Sequence, residues 1–356
     1  MIRRAQRAGY RNRSDVMMEI LRCGVVGYGY MGEIRRAVIE RSPRLRLVGI
    51  CEPNADTRNR VIGCETFETA NELLATGLDI LFVCVPNALA PDLCIEAMRG
   101  DVHVFCEKPP GRTLEDIERI RAAETPAVKL MFGFNHRFHP SVQRAKVIVD
   151  SGRLGGIIGV RGVYGKSGGS GFRQSWRNDR TLSGGGILLD QGIHMLDLFR
   201  FFCGDFERVK CFTNDSYWNL AVEDNAYVIL ANDQGQNAFF HSSATLWKHT
   251  FQVHVLLEEG YLTVAGLLSR SGSYGRETLT VGKRQFEGET EAVGNPAEEL
   301  TYFDRDDSWD LEVAEFVRCI DESVPVCISS SQDAWEVMKI IDSAYKDAGR
   351  PPENAS

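Results

Sequence analysis

Short apolar runs at 23–26, 47–51, 80–85, 102–106 and 128–132 punctuate the first third of the chain. Between them lie stretches with one apolar face per helical turn, notably 91–99 and 114–123. Runs of strand length with no polar side, alternating with helices, predict a parallel, doubly wound sheet covered on both faces. The ligand crevice of such a sheet lies beyond the carboxyl ends of its strands. The positions that fall there are 27–32, Glu52, Pro86-Asn87, Glu107-Lys108-Pro109 and Asn135-His136-Arg137.

The rhythm changes after Arg137. A helical pattern at 140–149 and a strand at 157–164 precede a glycine-rich polar loop, 166–186, and an apolar helix, 187–202. Strand-like pieces at 209–212, 226–230, 237–244, 251–257 and 261–265 then follow without intervening helices, which predicts a largely antiparallel sheet. Amphipathic helices at 308–321 and 332–348 close the pattern. The expected organisation is an extension, 1–18, an α/β dinucleotide-type domain, 19–137, and an α+β domain, 138–356, that carries substrate and builds the oligomer and includes the closing helices.

The first domain's strongest signal is Gly27-Tyr28-Gly29-Tyr30-Met31-Gly32, directly after the run ending Val25-Val26 and before a helix expected over 33–40. Gly27 permits the tight turn, Gly29 removes the side chain that would block a pyrophosphate, and Gly32 lets helix and strand pack closely. The helix N-terminus offers free N–H groups to the anion. Glu52 ends the next strand 20 residues after Gly32, where an acid accepts hydrogen bonds from both ribose hydroxyls and repels a 2′-phosphate. The expected cofactor is NAD rather than NADP.

Charge and composition narrow the partners. A net charge of −8 argues against a general nucleic-acid binder. No run of about 18 apolar residues suits a membrane span. Ten cysteines without a Cys-x-x-Cys pair, several inside apolar runs, suggest buried thiols in a reducing, cytoplasmic setting. Arg3, Arg4, Arg7, Arg11 and Arg13 make the extension basic but lack the apolar core of a signal peptide, so it is expected to be disordered.

Candidate chemistry gathers at two places. Lys108, at the end of the fifth strand, faces the nicotinamide end of the crevice, where partial desolvation lowers a lysine pKa into the range of proton transfer; on spacing alone it is equally a surface lysine beside a turn proline. Asp190 and His194 follow Gly184-Gly185-Gly186, four apart, so a helix would put the carboxylate beside the imidazole, fixing its tautomer and supporting its charged form. As a surface pair they would do nothing more. Arg137 and Arg177 could hold a phosphate or carboxylate and Trp176 could stack on a sugar face, with Tyr164, Lys166 and Arg173 as further pocket candidates. His136-x-x-His139 and Asp190-x-x-x-His194 each offer two metal ligands, but no third or fourth stands at a recognisable spacing, so no metal is expected.

In this order and at these separations, the glycine motif, Glu107-Lys108-Pro109, Asn135-His136-Arg137-Phe138 and the glycine run with Asp190 and His194 resemble the Gfo/Idh/MocA oxidoreductases, over nearly the whole of 19–350. The resemblance implies a Rossmann domain followed by an antiparallel sheet with a substrate face and a subunit-interface face, hence a homodimer or homotetramer. It implies Lys108, Asp190 and His194 as the catalytic group. The substrate would be a sugar, sugar derivative or nucleotide sugar. Hydride would pass to NAD while His194 or Lys108 takes the hydroxyl proton. NAD-assisted hydrolysis or elimination through transient oxidation, and a non-catalytic NAD-binding sensor, stand as alternatives.

Overall fold

A computed structural model describes residues 19–288 and 291–350; the basic extension 1–18 lies outside the described residues. The first sheet holds six parallel strands: β1 (Leu21–Val26), β2 (Leu45–Cys51), β3 (Glu65–Phe67), β4 (Ile80–Val83), β5 (His103–Cys106) and β6 (Leu130–Phe132), in spatial order β3-β2-β1-β4-β5-β6. The order reverses between β1 and β4, so the loops after these two strands splay apart and open a crevice. Helices α1 (Tyr30–Arg41), α2 (Ala55–Arg58), α3 (Ala70–Leu74), α4 (Ala90–Arg99) and α5 (Leu114–Ala122) make the crossovers. Their starts are written locally: Thr69 with Glu72 and Thr113 with Asp116 form reciprocal capping boxes, and Pro91 occupies the first turn of α4.

The second sheet has eight strands in the order β16-β13-β12-β11-β7-β10-β9-β8. They are β7 (Ile157–Gly165), β8 (Arg208–Asn214), β9 (Asn225–Ala231), β10 (Asn237–Ser243), β11 (Thr250–Leu257), β12 (Gly260–Ala265), β13 (Glu277–Lys283) and β16 (Glu298–Phe303), with a small hairpin of β14 (Phe286–Glu287) and β15 (Glu291–Ala292) between the last two. It is antiparallel except where β10 runs parallel to β7. One face is covered by α6 (Pro140–Asp150) and α8 (Ile193–Cys203), whose Met195, Leu196 and Phe199 are fully buried. The predicted helix over 187–202 is divided: Leu188–Gly192 is a π-helical turn and α8 starts at Ile193. The glycine-rich loop contains a short α7 (Arg180–Ser183).

The closing helices, expected with the second domain, also pack on the first. On α9 (Ser308–Asp321), Val313, Phe316 and Val317 join the same core as Val25, Phe82 and Phe105 of the first sheet, with Phe316 edge-on to Phe105 at 5.7 Å. Helix α10 (Ser331–Asp347) packs on α5 of the first domain and on α8 and β8 of the second. The chain thus returns across its first domain, and burial of these apolar faces ties the two layers together. No helix among the described residues is long and apolar enough to cross a membrane.

Candidate active site

The glycine motif forms the turn from β1 into α1. Gly27 has φ +86°, and a Cβ there would stand 2.5 Å from the Cys84 carbonyl oxygen; on Gly32 a Cβ would stand 2.1 Å from the Gly27 oxygen. Both are therefore obligatory for turn and helix–strand contact. A Cβ on Gly29 meets nothing within 4 Å, so the space over the α1 N-terminus is open to a ligand. Gly29 precedes a helix starting at Tyr30, earlier than expected, and no side chain caps it. These free N–H groups and the open cradle fit a pyrophosphate. Glu52 is fixed at the end of β2, its two oxygens accepting from the Tyr28 and Asn54 backbone N–H groups at 2.9 Å each. The Tyr28 ring points elsewhere, its hydroxyl accepting from Arg36 at 3.1 Å, so only its backbone faces the loop.

One crevice of about 280 Å³ is lined by Gly27, Gly29, Tyr30, Met31, Glu52, Pro86, Asn87, Lys108, Trp176, Arg177 and Asp190, among others. It joins cofactor candidates of the first domain to Lys108 and to Asp190 of the second; His194 is not among its lining residues. Asn87 is turned toward the second domain, donating to the Ser183 carbonyl at 2.7 Å. Glu107, expected at the cofactor, lines the crevice, and its carboxylate accepts from Arg35 at 2.6 Å. Arg35 is fully buried, stacked 4.3 Å over Phe105, and also donates to Glu312 of α9 at 2.8 Å. Lys108 is thereby seated on a buried ion network that links β5 to α9.

The Lys108 ammonium donates to the Asp190 backbone carbonyl at 2.7 Å and lies 3.7 Å from its carboxylate. Burial pushes Lys108 below the ordinary lysine value; Asp190 opposes this, while Arg177 and Lys166 add to it. Asp190 accepts from Lys166 at 2.9 Å and from Arg177 Nε at 3.3 Å. Burial alone would raise the Asp190 carboxyl, but Lys166, Lys108 and Arg177 hold it well below the usual carboxylate range.

The expected pairing of Asp190 with His194 is not what the structure shows. The two sit across the junction of the π-helical turn and α8 rather than on one regular helical face, and the carboxylate is taken by the three cations. His194 stacks on His136 instead, with ring centroids 3.8 Å apart and planes 20° from parallel. His194 Nδ1 is buried and has no hydrogen-bond partner among the described residues. Burial, then Lys108 and His139, hold the His194 imidazole well below its ordinary pKa. His136 is likewise depressed, by burial and then by His194, His139 and Lys108. Its Nδ1 lies 3.1 Å from Asn135 Oδ1 and its Nε2 3.2 Å from the Tyr164 hydroxyl. A neutral ring with the proton on Nδ1 satisfies both contacts, with Tyr164 as donor to Nε2.

Arg137 is corrected as a substrate contact. Only 4% exposed, its guanidinium donates to Asp197 at 2.6 and 2.8 Å and to Asp333 at 3.0 Å, inside the core. His139 is similarly spent on Glu277 at 2.8 Å, 138 residues away. Trp176 and Arg177 do line the crevice, stacked on one another at 4.6 Å. The residue that sequence reasoning undervalued most is Lys166; its signal was only its place just past the end of β7.

Residues 21–134 match the family described as oxidoreductase family, NAD-binding Rossmann fold, and residues 142–263 match the GFO/IDH/MocA C-terminal domain. The chain is similar to the uncharacterized oxidoreductase YrbE of Bacillus subtilis (26% identical, 62% of this chain, 66% of that protein). It is also similar to the D-glucoside 3-dehydrogenase of Escherichia coli (24% identical, 94% and 97% covered). The matched stretch spans about half the length of several other curated relatives. A levoglucosan dehydrogenase solved with NADH and levoglucosan shares the fold (TM-score 0.81, 20% identical, covering 93% of this chain and 98% of that one).

Proposed function

The chain belongs to the GFO/IDH/MocA family of oxidoreductases, and from that membership we propose that it moves a hydride between NAD and a secondary alcohol or ketone of a sugar or sugar derivative. The observation that carries this reading is that the glycine cradle and Glu52 open into the same crevice as Lys108 and Asp190. The dehydrogenase relatives named above act on carbohydrates, which supports the substrate class.

NAD held at the cradle supplies the hydride acceptor at its nicotinamide ring. Lys108 is assigned as the proton acceptor. It lines the crevice, burial favours its neutral amine, and the ionised Asp190 beside it stabilises the ammonium that forms. In the reverse direction the same ammonium donates to the alkoxide. The imidazolium of His194 is opposed by burial and by Lys108, and it would leave a charged Nδ1–H buried without a partner. His194 is therefore assigned as a neutral hydrogen-bonding group, held in place by its stack on His136.

The test is a panel of sugars and sugar acids followed at the NADH band, with Lys108→Ala and His194→Ala alongside. Wild-type protein should produce NADH. Oxidation should rise with pH through an ionisation below the ordinary lysine value of 10.5, since burial lowers Lys108, and Lys108→Ala should abolish that rise while still binding NADH. Failure of wild-type protein to bind NAD(H) would overturn the reading. Product formed with no net NADH change would replace it by the internal-redox alternative.

A homo-oligomer belongs to the same proposal. The uncovered face of the second sheet exposes Phe212, Tyr227, Ile229 and Phe239 on adjacent strands β8, β9 and β10, an apolar patch suited to a second copy. Light scattering on a Phe212→Asp, Ile229→Asp variant should report a smaller particle than wild type; an unchanged mass removes this interface. Ten free cysteines, seven of them buried, support a reducing, cytoplasmic setting.

A further inference from the structure

We infer that the substrate carries an anionic group, a carboxylate or a phosphate, and that Lys166 and Arg177 bind it beside the reacting carbon. This rests on the dehydrogenase reading and narrows its substrate class.

Charge balance at the Asp190 end of the crevice carries the inference. Three cations, Lys108, Lys166 and Arg177, converge on the single carboxylate of Asp190. Of the other two carboxylates lining the crevice, Glu107 is turned to Arg35, and Glu52 is held by the backbone at the end of β2. With Lys108 as the neutral base, Lys166 and Arg177 leave the cluster a formal excess of one positive charge, which becomes two once Lys108 has taken the proton. Partly enclosed cations of like sign repel, and an anionic ligand removes that penalty.

Donor geometry agrees with the charge count. Lys166 directs one bond to Asp190, which leaves two N–H groups on its ammonium. Arg177 spends Nε on Asp190, so both terminal nitrogens of its fork remain for a ligand. The Trp176 ring stacked on that guanidinium at 4.6 Å fixes its plane and leaves its edge to donate. Arg177 lines the crevice itself, and Lys166 is tied at 2.9 Å to Asp190, which also lines it, with 21% of its side chain still exposed. The cofactor pyrophosphate has its own seat at the α1 N-terminus, where a Cβ on Gly29 would meet open space.

Matched sets test this: D-glucose with D-glucuronate and D-glucose 6-phosphate, and the galacto and 2-acetamido counterparts. Each is measured for turnover with NAD and, by calorimetry, for binding to the NADH-loaded protein. In at least one set the charged member should be favoured by about 10- to 100-fold, the range of one or two charge-assisted hydrogen bonds. The carboxylate and phosphate arms identify which anion. Lys166→Met and Arg177→Gln should each reduce that preference about tenfold. Lys166→Arg and Arg177→Lys, which keep the charge, should retain most of it, and KM for NAD should stay within about twofold of wild type.

Equal handling of neutral and charged members in every set, absence of binding included, overturns the anion site. So does a rise in KM for NAD in the charge-removing variants that matches the rise for sugar, because the cations then serve the cofactor. Neutral sugars oxidised as well as charged ones refute the anion site and leave the dehydrogenase reading standing. Charged sugars that bind wild type but not the variants, with NADH never formed, uphold the site and refute the dehydrogenase.

Discussion

Replacing Glu312 by Gln probes the buried network beneath Lys108. Arg35 faces two carboxylates, Glu107 at 2.6 Å and Glu312 at 2.8 Å, all three at least 92% removed from solvent, so one guanidinium meets two potential negative charges. Burial pushes the Glu312 carboxyl up to about 8; Arg35 opposes this and Glu107 adds to it. The folded protein therefore holds a proton on Glu312 that the unfolded chain releases near the ordinary value of 4.5. This stabilisation is complete below that value and is lost as pH rises through about 8, at roughly 1.4 kcal/mol per unit and an upper bound of about 5 kcal/mol. Glutamine mimics the protonated form and does not titrate. Thermal unfolding of wild type and Glu312→Gln at pH 5, 7 and 9 should give midpoints within about 2 °C at pH 5, with the variant higher by about 4 °C or more at pH 9. A variant less stable than wild type by about 3 kcal/mol or more across the range would refute the reasoning, because that is the loss expected on breaking an ionised buried pair.

The glycine motif predicts a dissociation of stability from binding. Gly32→Ala places a Cβ against the Gly27 backbone oxygen and should cost about 1–3 kcal/mol of stability, read as a lower melting temperature without cofactor, whereas Gly29→Ala should melt within about 2 °C of wild type and lose NADH affinity by calorimetry. Equal loss of stability in both would contradict the open cradle. Arg137→Met should destabilise by about 3–5 kcal/mol, since it leaves Asp197 buried without its cation, and any protein that does fold should keep its KM for sugar; a raised KM at wild-type stability would return Arg137 to the substrate site.

The parts of the fold that were legible are those whose reason is local. Strands β1, β2, β4 and β5 read as apolar runs because helices cover them on both sides, and the helix at Ser308–Asp321 matched its predicted bounds. Strand β3 has three residues and one of them is glutamate, while β13 and the edge strand β16 mix polar with apolar residues, so none produced a run. The cofactor half of the site was legible for a similar reason: the demands on Gly27, Gly32 and Glu52 are met by backbone close in space to their own motif. Charge partners are set by tertiary distance instead. Arg137 finds Asp197 60 residues on, and Glu107 finds Arg35 72 residues back. A motif can show which residue reaches a strand's carboxyl end, yet whether that residue is spent or free depends on what folds against it. Arg137 and Arg177 read alike in sequence; a buried aspartate consumes the first, and the second keeps its fork for a ligand only because Asp190 takes it through Nε. The proposed anion preference therefore rests on two residues of the loop 166–186, Lys166 and Arg177, whose partners become readable only once the charges are counted around Asp190.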